Sequence, residues 1–237
     1  MPAEYPYPRT NSELIKDLNL EPHPEGGYYS LTWLGEEKTP TPFVFRSPAR
    51  PLASTIYYLL AARSDAESQA DVEKLRASGL AVPADGSGEG GLKWSPHSAV
   101  FHLNRSATMH LHHAGRAKYT LIEAHPAKGR RPRIKEVIVG ADSARGEVRQ
   151  LLVEGGEHGW WKMSQVPERD VRHAAEAEEG QRERVGCLIS EVVIPGFDWK
   201  DHRYMQTSDL RRLFPGQDDE DKAALTRFSP HVEPDEE

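Results

Sequence analysis

Residues 19–33 read Asn-Leu-Glu-Pro-His-Pro-Glu-Gly-Gly-Tyr-Tyr-Ser-Leu-Thr-Trp, and they constrain the fold more than any other stretch. A helix-like segment ends at Pro22 and Pro24, Gly26 and Gly27 supply a turn, and an aromatic strand begins at Tyr28. Upstream, Thr10 with Glu13 fits a capping box, and Leu14, Ile15 and Leu18 give the short helix its apolar stripe.

Strand-like runs rich in Val, Ile, Leu and Tyr then recur. They fall at Ser54–Leu60, Ala99–Asn104, Thr108–His113, Lys118–Ala124, Ile134–Val139, Val148–Val153, Trp160–Ser164 and Val185–Ile194. Closely spaced strands with little helix between them predict an all-β sandwich or barrel rather than a βαβ sheet. Two stretches break the rhythm. In residues 64–93, Ser64 and Glu67 form a second capping box, a charged helix runs to about Arg76, and 85–91 is a glycine-rich linker. Residues 167–184 read as a charged loop. Both are expected as surface insertions, with lids over a barrel mouth as the alternative. Thr207 or Ser208 caps a short C-terminal helix that runs through Leu213 and Phe214 and is broken by Pro215-Gly216.

The length of 237 residues suits one domain, expected over 1–216. Most of the net charge of −7 sits in 217–237, where eight acids face only Lys222 and Arg227. That composition predicts a solvated, disordered tail. The nearly neutral remainder has no electrostatic footprint for nucleic acid or an anionic membrane. A single cysteine, Cys187, excludes an internal disulfide and every multi-cysteine metal motif, and its apolar surroundings predict a buried structural thiol. No run approaches the roughly 20 apolar residues of a membrane span, and no apolar signal region opens the chain, so the cytoplasm is expected.

Five of the eleven histidines, His97, His102, His110, His112 and His113, fall within seventeen residues. Strand alternation puts His102 with Asn104 on one face, and His110 with His112 on one face of the next run. Such pairs can chelate a metal if further ligands come from elsewhere, and polar histidines of a strand surface are the plainer alternative. On the strand at 160–164, Trp160, Lys162 and Ser164 share a face. Glu191 interrupts an apolar run, and an acid in a core strand must be paired or functional; Lys162 is its simplest partner. Tyr119, Trp160 and Trp161 are candidate pocket walls or core side chains.

The opening run resembles the start of the DUF985 (cupin_5) family, part of the RmlC-like cupin superfamily. Ser54-Thr55-Ile56-Tyr57-Tyr58-Leu59-Leu60 and the run Gly186–Trp199, with its Pro195-Gly196-Phe197 turn, resemble further family segments. Asn104, Ser106, Thr108 and His110 fit the N-x-S-x-T-x-H pattern of a divergent, fungal-looking branch. The resemblance implies a double-stranded β-helix, the cupin jelly-roll barrel, which usually pairs as a homodimer. Laid on the general cupin motifs, His102 takes the first histidine position, Asn104 the second, Thr108 the glutamate and Lys162 the last histidine. Three of the four are poor ligands, so no cofactor is expected. A divalent metal would need a shifted site at His102, His110 and His112.

Three functions follow from this resemblance. The first is an isomerase, epimerase or cyclase working by acid–base chemistry on a small polar or oxygenated substrate. His102, His110, Lys162 and Glu191 would be its catalytic groups, and Asn104, Thr108, His112, Tyr119 and Trp160 would bind substrate. The second is a non-catalytic metabolite-binding protein, and the third a metal-dependent oxygenase.

Overall fold

The structure is a computed structural model that describes residues 9–43, 49–78 and 94–235. In chain order it contains α1 (Asn11–Asp17), β1 (Glu21–Pro22), β2 (Tyr28–Leu34), β3 (Lys38–Thr39), β4 (Arg50–Pro51) and β5 (Ser54–Ala61). There follow α2 (Asp65–Ala77), β6 (His102–Asn104), β7 (Ala107–Gly115), β8 (Ala117–Glu123), β9 (Ile134–Val139), β10 (Gln150–Val153) and β11 (Trp160–Gln165). The chain continues through α3 (Glu168–Glu176), α4 (Glu179–Arg182), β12 (Gly186–Ile194), β13 (His202–Tyr204), α5 (Thr207–Leu213) and α6 (Asp219–Phe228).

Two antiparallel sheets carry the fold. One has the order β1-β2-β5-β12-β7-β10 and the other β13-β6-β11-β8-β9, with β3-β4 as a separate ribbon. They meet through Tyr58, Leu60, Cys187 and Ile189 on one side and Ala117, Tyr119 and Val139 on the other. Cys187 is a buried free thiol. Among the described residues the strands form two packed antiparallel layers, within the all-β sandwich or barrel that the sequence suggests, and no closed barrel is found.

Both sheets are covered on their outer faces as well. Leu14 and Ile15 of α1, Leu18 at its C-terminal cap and Leu75 of α2 pack on Tyr28, Leu59 and Leu188 of the first sheet. Leu210 and Leu213 of α5 and Phe228 of α6 pack on Phe101, Leu103, Trp161 and Met163 behind the second. Burial on two faces is why these strands read as nearly continuous apolar runs. It also makes a polar side chain inside them informative.

Both capping boxes form as expected, at Thr10/Glu13 and at Ser64/Glu67. The linker at 85–91 lies outside the described residues. Two expectations fail. The stretch 217–235 is no disordered tail: Asp218 caps α6 by accepting from the Asp221 amide, and Phe228 and Val232 are buried in the core. Four of its acids, Asp218, Asp219, Glu220 and Asp221, cluster at the N-terminus of α6, where the helix dipole favours negative charge, while Ala224, Leu225 and Phe228 face inward. The stretch 167–184 is no loop but α3 and α4, held by a paired-fork ion pair in which Arg116 Nε and Nη2 donate to Asp170 at 2.7 and 2.8 Å. Among the described residues no helix is long and apolar enough to cross a membrane.

Candidate active site between the sheets

The inner face of β7 presents His110 at the point where β12 presents Glu191, since the two residues are direct partners in the ladder. From the opposite sheet, β11 brings Lys162 to meet them. Lys162 Nζ lies 2.9 Å from His110 Nε2 and donates to Glu191 Oε1 at 3.1 Å, and His110 Nε2 is 3.2 Å from the same carboxylate oxygen. His110 Nδ1 faces the Leu151 carbonyl at 3.0 Å. A carbonyl only accepts, so that nitrogen carries the hydrogen and Nε2 is free to accept from the ammonium. Burial would raise the Glu191 carboxyl, but the Lys162 ammonium beside it holds it well below the usual carboxylate range. Burial and the same ammonium push His110 down, so its imidazole is neutral near pH 7.

A second polar cluster lies beside the first, because His102 on β6 is the ladder partner of Lys162. His102 Nε2 is 3.2 Å from Glu25 Oε2, and His202 Nε2 is 2.7 Å from Glu25 Oε1. The two imidazoles stack with centroids 5.4 Å apart. Burial pushes His102 down to about 3. His23 accepts from the Glu25 amide at 3.2 Å through Nδ1, which leaves its Nε2 as the protonated nitrogen of the neutral ring.

The 23–27 segment is locked in place by its glycines. Gly26 has φ of 111°, and a Cβ there would stand 2.2 Å from the Ser98 carbonyl oxygen. The Gly26 carbonyl accepts from Tyr58 Oη at 2.8 Å, and the Val100 amide donates to the Glu25 carbonyl at 2.9 Å. Turn and strand together therefore aim the Glu25 side chain between the sheets. His202 is placed by the turn at 198–201, which the buried Arg50 ties down through Asp198 and Asp201.

Both clusters reach one cavity of about 290 Å³, lined by His23, Glu25, Tyr58, Asn104, Glu191 and Trp199 among others. A small void of about 10 Å³, room for one water at most, lies against His102, Asn104, Thr108, Trp160 and Lys162. Of the residues singled out in the sequence, His110, Lys162 and Glu191 thus converge, and Asn104 borders both spaces. Thr108 and Trp160 face the void, and Tyr119 packs its ring edgewise on His110 at 5.1 Å. His112 lines neither space: β7 bulges beside it, and its Nε2 bonds the Gly115 carbonyl at 2.8 Å.

Sequence reasoning missed His23, Glu25 and His202. The first two lie in the very run that announces the fold, and their proximity to two glycines was the available signal. The positions of the general metal motif do not fit an ion, because Lys162 stands at one of them with its ammonium committed to Glu191 and His110. Of the shifted set, His110 Nε2 lies against the Lys162 ammonium and His112 Nε2 against the Gly115 carbonyl, and among the described residues the group with metal-ligand spacing is Glu25, His102 and His202.

Two face-to-face antiparallel sheets with a cavity between them, apolar in most of its lining and carrying a few polar groups, define a β protein of the class to which cupins belong. Residues 12–74 and 92–205 match the Cupin_5 family, described as Cupin superfamily (DUF985), and the chain belongs to that family. The unmatched 75–91 falls inside the excursion, whereas most of α2 lies in the matched part. The chain is 26% identical to the uncharacterized protein YML079W of Saccharomyces cerevisiae, covering 93% of this chain and 86% of the yeast one. A hypothetical protein from Leishmania major superposes with a TM-score of 0.60 at 25% identity, over 93% of this chain and 98% of the other. Protein SO0799 from Shewanella oneidensis has the same fold, with a TM-score of 0.56 at 22% identity over 96% and 99%. None of these names states an activity.

Proposed function

We propose that this protein is an RmlC-like enzyme whose two sheets act as a jelly-roll pocket, and that it isomerises, epimerises or cyclises a small polar or oxygenated molecule by acid–base chemistry. The observation that carries this reading is the Lys162 ammonium held between Glu191 and His110, with Glu191 on the cavity wall. Glu191 takes a proton from the carbon next to a carbonyl, and Lys162 beside it stabilises the negative charge that develops. His110 fixes the direction of the ammonium. Asn104 orients the substrate where the cavity meets the void lined by Thr108 and Trp160. A second reading, binding without turnover, also has an observation in its favour: a carboxylate held so far below its usual range is a weak base.

Deuterium wash-in from D₂O separates the two, read by NMR across a panel of keto and hydroxy sugars and acids. Exchange that is lost in Glu191→Gln and His110→Ala but kept in His173→Ala supports the enzyme. Ligand-dependent melting with no exchange in the wild type supports the binding protein. Equal exchange in all three variants removes the assigned residues. A homodimer belongs to the same proposal, since Leu31, Trp33 and Leu34 stand exposed on β2 near a sheet edge. Light scattering that gives a monomer mass at micromolar concentration would dismiss it.

A further inference from the structure

One imidazole–carboxylate arrangement occurs twice in the interior. At His110, Nδ1 faces the Leu151 carbonyl, Nε2 stands 3.2 Å from a Glu191 oxygen, and the Lys162 ammonium lies against both. At His102, Nδ1 faces the Val100 carbonyl at 3.0 Å and Nε2 stands 3.2 Å from Glu25 Oε2. Among the described residues, no lysine or arginine pairs with Glu25. His102 is 1% exposed, and its Nε2 has no hydrogen-bond partner among the described residues. Its hydrogen sits on Nδ1, so a lone pair faces a carboxylate oxygen at a distance where the two repel. In the first cluster a positive group resolves that repulsion.

We propose that Glu25, His102 and His202 bind a divalent first-row transition-metal cation. The three side chains offer ligand atoms within 4.8 Å of one another. Donors at about 2.0–2.2 Å from one ion stand about 3 Å apart when at right angles. Glu25 reaches each imidazole with a different oxygen, Oε2 to His102 Nε2 at 3.2 Å and Oε1 to His202 Nε2 at 2.7 Å, and both distances lie near that spacing. Two imidazoles and a carboxylate with open positions form the donor set of facial-triad sites, suited to Fe(II) and accepting Mn(II), Co(II) or Zn(II). The Val100 carbonyl is the outer partner that such a histidine needs, fixing which nitrogen ligates. The Tyr204 hydroxyl, also buried without a hydrogen-bond partner among the described residues, belongs to the residue paired with His102 across β6 and β13. Glu25 also lines the cavity beside His23, so an oxygenated small molecule in that cavity would lie next to the ion. The set shares only His102 with the general motif positions, and it does not depend on the acid–base role of Glu191.

Metal analysis by plasma mass spectrometry of protein purified without chelators tests the site, followed by Co(II) titration of the stripped protein monitored by visible absorption. The expected result is one ion per chain with nitrogen-type Co(II) bands. Affinity should fall at least about tenfold in Glu25→Gln and in His202→Ala, with circular dichroism reporting the fold. Lys162→Met should keep the ion, so loss of deuterium exchange there with metal retained would bear on the acid–base reading alone. A folded, stripped wild type that takes up no Co(II) saturably overturns the proposal. So does unchanged affinity in both ligand variants.

Discussion

Replacing Lys162 by methionine keeps an unbranched apolar stem one atom shorter and removes the ammonium between His110 and Glu191. Both charged partners are buried, Lys162 at 4% and Glu191 at 8% exposure, so the carboxylate left behind gains little from water. Removing one partner of a buried pair costs about 3–5 kcal/mol. For a chain of this size each kcal/mol shifts the melting temperature by about 2–4 °C, which predicts a drop near 10 °C at pH 7. The pH dependence carries the physics. In the wild type the folded Glu191 carboxyl is held below its unfolded value of about 4.3; its stabilising contribution is complete above that pH and is lost as the pH falls through the folded value. In the variant, burial without the ammonium raises the same carboxyl, and a proton taken up on acidification can be shared with His110 Nε2. The stability gap between wild type and variant should therefore narrow from pH 7 to about pH 5, the region where a raised carboxyl titrates. Urea denaturation at both pH values measures it, and Lys162→Met/Glu191→Gln, with no charge left to strand, should be more stable than Lys162→Met alone. A loss below about 1 kcal/mol at pH 7, the worth of a surface pair, would refute the reasoning. An equal loss at both pH values would do the same.

Phe228→Ala tests whether the C-terminal segment belongs to the core. Phe228 is 1% exposed and stacks edge-on against Phe101 at 5.5 Å, so about 3–5 kcal/mol of stability should disappear; a neutral result by calorimetry would return 217–235 to the status of a tail. Gly26→Ala should cost about 2 kcal/mol or more, because the residue has positive φ and its Cβ would meet the Ser98 carbonyl oxygen. It should also displace Glu25 and weaken Co(II) uptake, whereas Gly146→Ala, with open space around its Cβ, should leave Co(II) uptake unchanged.

The strands were legible because burial on two faces writes long apolar runs into the sequence, and β9 matches its expected limits of Ile134–Val139. The misread segments share one cause. In 167–184 and 217–235, charge density suggested solvent, yet most of the charges are spent on specific partners and helix ends. Asp170 binds Arg116, and the Asp221 carboxylate accepts from Arg131 and from the Gln217 amide. Composition counts charges without saying whether each has a mate. A few inward apolar residues, such as Ala174 and Phe228, are then enough to dock a short helix.

The candidate site divides along a different line. His110, Lys162 and Glu191 could be found in the sequence because each is a polar residue inside an apolar strand, where burial demands a reason. Glu25 and His202 sit in a turn and at the start of a three-residue strand, where polar residues are ordinary; the two glycines after Glu25 mark the turn, and nothing local marks His202. They meet His102 only because the Gly26-Gly27 turn folds against β5 and because β13 pairs with β6. A cluster assembled from positions 25, 102 and 202 is a property of topology, and no window along the chain contains it. The same topology places Lys162 directly opposite His102, so the ammonium that completes one cluster lies one ladder pair from the cluster without one. Had that lysine been histidine, as at the corresponding position of the general cupin motif, the ammonium of the first cluster would be gone and a further imidazole would stand beside His102. Exchanging that one residue would remove the ion pair, yet Asn104 and Thr108 would still be poor ligands at two of the motif positions, and the carboxylate–imidazole set at Glu25 remains the better place to look for the cation.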